Sequence, residues 1–205
     1  MYRKTWMQVN LDKIERNLIK LKDICQKKII AVLKADAYGC GDIHVARAVL
    51  EAGAEMIAVS SLDEALVLRN EGYFGKLLIL GATEASDIPV LIKQGISCTA
   101  YSDEWVDNVI QQNCADLHVH LKMDTGMSRI GFRTIDELHL AFNKLQAANC
   151  TMEGIFTHFC CADSDLELTN LQFSKFKEAV ESFSYSFPWV HCDNSDRSEE
   201  RRVGK

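Results

Sequence analysis

Two rhythms of apolar and polar positions trade places along this chain. Short aliphatic runs are each followed by a longer stretch in which apolar residues recur three and four positions apart, the alternation of strands with amphipathic helices. Leu11, Ile14, Leu18 and Leu21 predict a helix capped by Asn10, after a short β-like lead over residues 6–10. The run 29–33 predicts a buried strand and 43–50 a helix, stopped at Glu51-Ala52-Gly53. The cycle recurs as strand 56–59 and helix 62–68, with Ser60 or Ser61 as its cap. Strand 77–80, helix 85–94 with Pro89 in its first turn, strand 97–100 and helix 103–112 come next. Strand 117–121 carries His118 and His120 at alternate positions, followed by helix 134–148, strand 152–156 and helix 168–183. A seventh strand starts at Trp189-Val190.

Strand and helix repeated with short connections call for a parallel sheet with right-handed crossovers. A doubly wound open sheet and a barrel both satisfy the pattern. Polar residues collect after every strand rather than at one switch point, which favours the barrel. The expected class is therefore α/β, of the (β/α)8 TIM-barrel type, incomplete, with about seven of eight strands. The 205 residues fall short of the about 250 of a typical barrel. With 47% hydrophobic and 25% charged residues the make-up is that of an ordinary globular protein. A net charge of −6 argues against nucleic-acid binding. No apolar run reaches the roughly 20 residues of a membrane span, and residues 1–10 lack the apolar centre of a signal peptide, so the expectation is a cytoplasmic protein without a membrane partner. Eight cysteines are scattered without a CxxC pair, which speaks against a disulfide framework or a metal site.

The chemistry sits at the strand ends. Lys34 closes the first strand, with Tyr38 four residues on and Gly39 and Gly41 flanking Cys40. A lysine at the C-terminal mouth of a barrel strand can hold a carbonyl cofactor as a Schiff base with a phosphate nearby, and a strand-end lysine merely reaching water is the plainer alternative. The octet KADAYGCG resembles the pyridoxal-phosphate lysine motif of the alanine racemase family, KANAYGHG or KADAYGHG, with Cys40 in place of the histidine. The opening WMQVNLDKIERNLIKL is similar to that family's as well. The resemblance implies that Lys34 binds pyridoxal 5'-phosphate covalently and that the Tyr38 hydroxyl bonds its phosphate.

Three further segments extend the likeness. KMDTGMSRIGF resembles the family's KxDTGMxRxGF, which implies that Arg129 contacts the cofactor's phenolic oxygen and the substrate carboxylate region. Lys122 would orient that arginine, and its counterpart is carbamylated in some members. GIFTHFCCAD resembles GxxTHFaxAD, placing His158 beneath the cofactor ring in support of an arginine, although a lone histidine at a strand end is more often structural. His191-Cys192-Asp193-Asn194-Ser195 resembles HxxNSA, giving phosphate binding to Ser195 while Asn194 and His191 shape the loop. Residues 1–195 thus read as a partial cofactor-binding barrel domain. Residues 196–205 hold seven charged residues in ten and read as a non-native, vector-like tail, which a genomic read carrying the same codons in frame would refute.

The implied function is interconversion of L- and D-alanine by two-base α-proton exchange, supplying D-alanine for peptidoglycan, in a protein that is a homodimer at full length. Lys34 is one base; the family's other base is a tyrosine from the partner subunit's C-terminal domain, outside this sequence, so the chain alone is expected to have little or no activity. Serine is an open alternative substrate. A single-domain pyridoxal-phosphate homeostasis protein is a second alternative, though such proteins lack an arginine loop of this style.

Overall fold

Alternation of apolar residues above and below each short strand decides how the sheet closes on itself. The computed structural model describes residues 4–192. Its strands are β1 (Ile30–Val32), β2 (Met56–Val59), β3 (Leu77–Ile79), β4 (Cys98–Ala100), β5 (His118–Lys122), β6 (Thr151–Thr157) and β7 (Trp189–Cys192), seven in chain order. All pairings are parallel and each strand lies beside the next. β3 meets β4 without a ladder: at the bridge Leu78 to Ser97 the Ile79 N–H donates to the Ser97 carbonyl at 2.9 Å and the Ser97 N–H to Leu77 at 2.8 Å, and the Thr99 hydroxyl donates to the Ile79 carbonyl at 2.8 Å. Among the described residues no ladder joins β1 to β7. The fold is the expected incomplete TIM-type barrel, open along one seam.

Residues of β2 and β3 show the period of two. Ile57, Val59, Leu77 and Ile79 point outward into the large core shared with the helices. Met56, Ala58 and Leu78 point into the barrel, where they pack with Trp189 of β7 and with Ile30, Val32 and Leu80. Trp189 so reaches across the open seam toward β1, and the ammonium groups of Lys28 and Lys76 stand 5.2 and 5.3 Å from its ring.

Helices start where side-chain oxygens cap their first turns. Asn10 caps Leu11–Cys25, Ser61 caps Leu62–Asn70, Ser102 caps Asp103–Ile110, and Thr134 with Glu137 forms a capping box on Ile135–Ala147. Three expectations need correction. Residues 6–10 form no strand: Trp6 and Met7 are exposed and pair with no sheet. The stretch 85–94 splits into a tight turn, Ala85–Asp87, and a helix, Ile88–Gln94, because Pro89 has no N–H to continue a ladder across the junction. The helix expected over 168–183 is Leu166–Glu181, since Asp165 accepts the Leu168 N–H at 2.8 Å and fixes the start two residues earlier. No helix among the described residues is long and apolar enough to cross a membrane.

Candidate active site

Parallel strands put their C-terminal ends on one face, so the side chains that follow β1, β5 and β6 collect at a common mouth. Lys34 leaves β1 there and is followed by an unusual segment. Ala35, Asp36, Ala37 and Tyr38 all lie in the left-handed helical region, with φ of 54°, 55°, 51° and 57°. Four non-glycine residues in that region carry a steric cost at each Cβ, and the surroundings hold them in place. Glu64 accepts the Ala35 N–H at 2.8 Å through one carboxylate oxygen, and the Ser60 N–H and hydroxyl, both at 2.8 Å, through the other. Ala37 is buried, and Asp36 accepts the Asp42 N–H to lead the chain into helix Asp42–Glu51. Tyr38 is left 64% exposed, with the Lys34 ammonium 5.8 Å from its ring.

The second mouth element is the loop after β5. Asp124 accepts the N–H groups of Gly126 and Ser128 at 3.1 and 2.9 Å, which winds the chain tightly. Gly131 closes it at φ +123°, where an added Cβ would stand 2.8 Å from the Lys122 carbonyl oxygen. The Thr125 and Thr157 hydroxyls meet at 2.8 Å, and Thr157 donates to the Met123 carbonyl at 2.9 Å, tying the loop to β6. Arg129 is presented to solvent at its tip.

Lys122, the last residue of β5, is 1% exposed, and its Nζ has no hydrogen-bond partner. Burial, reinforced by the Arg129 charge and opposed by Asp124, lowers its pKa to about 8. The ammonium stands 5.4 Å from the Phe156 ring.

Below the mouth lies a polar column that the sequence pattern did not reveal. His191 belongs to β7 itself rather than to the loop after it, correcting its assignment as a loop residue: its ring stacks on Phe156 at 4.7 Å, which holds it in the barrel. His120 Nδ1 and His191 Nε2 are 2.9 Å apart, and His120 Nε2 lies 3.3 Å from a carboxylate oxygen of Glu153. Burial pushes the Glu153 pKa up, but hydrogen bonds from His120 and Ser97 outweigh it and hold the group at about 2. A carboxylate there fixes the proton on His120 Nε2, so that His191 donates from Nε2 to His120 Nδ1. Burial keeps both imidazoles neutral, with pKa values below the ordinary histidine range. The only advance signal for the column was the alternation of His118 and His120. Gly154 makes room for it, since a Cβ there would overlap the His120 ring.

His158 follows β6 at the mouth end. Asn194, Ser195 and the tail 196–205 lie outside the described residues. Glu64, Glu153 and Gln172, whose amide donates to Thr125 at 3.2 Å, are supporting residues that the sequence patterns gave no means to find.

A parallel barrel with a lysine just after its first strand, a buried lysine at the end of its fifth and an arginine in the loop beyond gathers amine and guanidinium groups at one mouth. The chain matches the model of the alanine racemase N-terminal domain over residues 9–202, and it belongs to that family. It is 39% identical over 205 residues to alanine racemase 1 of Oceanobacillus iheyensis, covering 95% of this chain and 54% of that protein. With alanine racemase of Geobacillus stearothermophilus it shares 37% over 203 residues, covering 96% and 52%. The crystal structure of alanine racemase from Bacillus anthracis with bound L-Ala-P superposes with a TM-score of 0.88 at 35% identity, covering 97% and 54%. A histidine racemase from Leuconostoc mesenteroides gives 0.86 at 27%, covering 92% and 52%. The chain spans about half the length of the curated relatives it matches.

Proposed function

We propose that this chain forms the cofactor-binding barrel of a pyridoxal 5'-phosphate-dependent amino-acid racemase acting on alanine. The observation that carries the reading is Lys34 at the β1 mouth, held by a strained turn, on the same barrel face as a buried lysine that lacks an acceptor. An aldehyde that also bears anionic oxygens needs a primary amine and cationic donors, and this mouth supplies both, so the residues fit the group. Lys34 would hold it covalently and the exposed Tyr38 hydroxyl would meet the phosphate, joined by Ser195 and Asn194. Arg129 would contact the phenolic oxygen and the substrate carboxylate, Lys122 would orient Arg129, and His158 would support the site from beneath.

When bound, pyridoxal phosphate withdraws electron density from the substrate's α-carbon and so makes its proton acidic. The Lys34 amine takes or returns that proton on its own face of the substrate. Inversion requires a second acid–base group on the opposite face, which we assign to the length of the relatives that this chain does not span, in a homodimer. On this reading the whole protein acts in the cytoplasm and supplies D-alanine for peptidoglycan, while the 205-residue chain alone binds the cofactor with little or no turnover. The names of its relatives support alanine over serine.

The test is the visible spectrum of the purified chain with added pyridoxal phosphate, followed by borohydride reduction and peptide mapping. The expected result is one chromophore fixed on Lys34 and lost in Lys34→Ala. Label scattered over surface lysines would overturn the reading.

A further inference from the structure

At the end of the barrel opposite the mouth, Phe74 stands 82% exposed, more than any other large apolar side chain among the described residues. Its loop is not a loose one. The Gly72 N–H donates to the Arg69 carbonyl at 3.1 Å and the Tyr73 N–H to Leu68 at 3.0 Å. The buried Arg69 guanidinium donates to the Tyr73 carbonyl at 2.7 Å and to the Gln94 and Gly95 carbonyls at 2.9 Å each. Beyond the ring, the Tyr73 hydroxyl donates to the Lys76 carbonyl at 2.7 Å. The chain is thus fixed on both sides of Phe74, and a preordered turn holds the ring out in water.

Beside the ring runs a groove of about 200 Å³ between helices Asp42–Glu51 and Leu62–Asn70. Ile43, Ala46, Leu50, Leu68 and Tyr73 line it, and Arg47 and Glu71 place one charge of each sign on its walls. Val67, one turn before Glu71, is 45% exposed and extends the apolar surface. An apolar cavity of about 150 Å³ takes a benzene molecule, so the groove has room for a phenylalanine ring. Knob and groove share one loop, since Gly72 and Tyr73 line the groove and Phe74 follows, yet at this exposure Phe74 does not fill its own groove.

We propose that this face pairs with a second copy of the chain about a twofold axis, each Phe74 entering the groove of the other copy. Two observations select a second copy. A knob and a hole that adjoin on one surface make a self-complementary patch, and a twofold axis satisfies both at once. The charges obey the same symmetry: among the described residues Arg47 and Glu71 have no ion-pair partner, and the rotation that exchanges the copies matches each Arg47 with the partner's Glu71. A net charge of −6 disfavours nucleic acid or an anionic membrane as the occupant. One aromatic anchor per copy makes a small interface, so the pair forms with rising concentration rather than permanently. Residues 71–76 precede β3, so the contact leaves Lys34 and Arg129 free and does not depend on the racemase reading.

The experiment is sedimentation velocity of the full chain from micromolar to millimolar concentration, with circular dichroism confirming that each variant is folded. Wild type should pass reversibly from monomer to dimer. Phe74→Ser should weaken the dissociation constant about a hundredfold or more, because both copies lose their anchor. Arg47→Glu and Glu71→Arg should each weaken pairing, and the double variant carrying both should restore it. Val190→Lys, on the exposed edge strand at the open seam, should pair as wild type does. A wild type that stays monomeric throughout, pairing that survives Phe74→Ser, a double variant no better than the two single ones, or pairing lost in Val190→Lys would each overturn the proposal.

Discussion

Replacing Lys122 with methionine should stabilise this protein at neutral pH, although it deletes a residue of the candidate site. The two side chains are of similar length, and methionine adapts to irregular apolar space, so the change chiefly removes a buried charge. Folding lowers the Lys122 pKa from 10.5 to about 8, and at about 1.4 kcal/mol per pH unit the buried charge costs on the order of 3 kcal/mol at pH 7. The sign follows from proton binding. Between about 8 and 10.5 the unfolded lysine holds its proton more firmly than the folded one, so wild-type stability rises with pH through that window and the cost is fully present below it. Lys122→Met should therefore exceed wild type by about 2–3 kcal/mol at pH 7 and approach it near pH 10.5. Urea denaturation in carbonate-free buffers at several pH values measures this. A variant less stable than wild type at pH 7, or a gap that does not change with pH, would refute the reasoning. The same shift leaves roughly one Lys122 amine in ten unprotonated at pH 7, against about one in three thousand for an unperturbed lysine. That fraction can add carbon dioxide, so added bicarbonate should stabilise wild type and leave Lys122→Met unchanged.

Three other outcomes are expected. Because His120 and His191 are held neutral in the fold while unfolded histidine takes up a proton near pH 6.5, stability should decline as pH falls below that value; a thermal midpoint unchanged between pH 7 and 5.5 would contradict the buried column. Gly131→Ala places a methyl group against the Lys122 carbonyl in a strained backbone region, so its urea midpoint should drop by the equivalent of about 2 kcal/mol or more. Glu64→Gln weakens the anchor of the Ala35 and Ser60 amides, and borohydride-trapped pyridoxal phosphate on Lys34 should fall several-fold with the far-ultraviolet spectrum preserved; undiminished trapping would show that the turn holds without Glu64.

The fold was largely legible because each strand and helix writes its own period. Residues 56–59 and 77–80 could be read from aliphatic runs alone, and Ser61 and Thr134 marked helix starts by local side-chain chemistry. The lysine and arginine segments were legible for a different reason, since glycine spacing and charged strand ends belong to contiguous sequence. What escaped was non-local or mirror-handed. Glu153 and His191 meet through His120 from three strands, a contact that no window of sequence contains. Gln172 is on a helix face that reads as ordinary polar surface, yet it is buried against Thr125. The four left-handed residues after Lys34 include two alanines and a tyrosine, types that give little warning of positive φ.

That left-handed segment also bears on when the protein assembles. An isolated chain disfavours each such residue by about 1–2 kcal/mol, so four together oppose folding by an amount comparable to the whole stability of an ordinary domain. No local preference can nucleate them; they can close only after β1, β2 and Glu64 are in position to impose the conformation. Lys34 and the turn behind it are thus the last part of this strand–helix unit to be set and the first to loosen. Hydrogen exchange should show early opening at Ala35 and Asp36 while Ile57 and Leu78 remain protected.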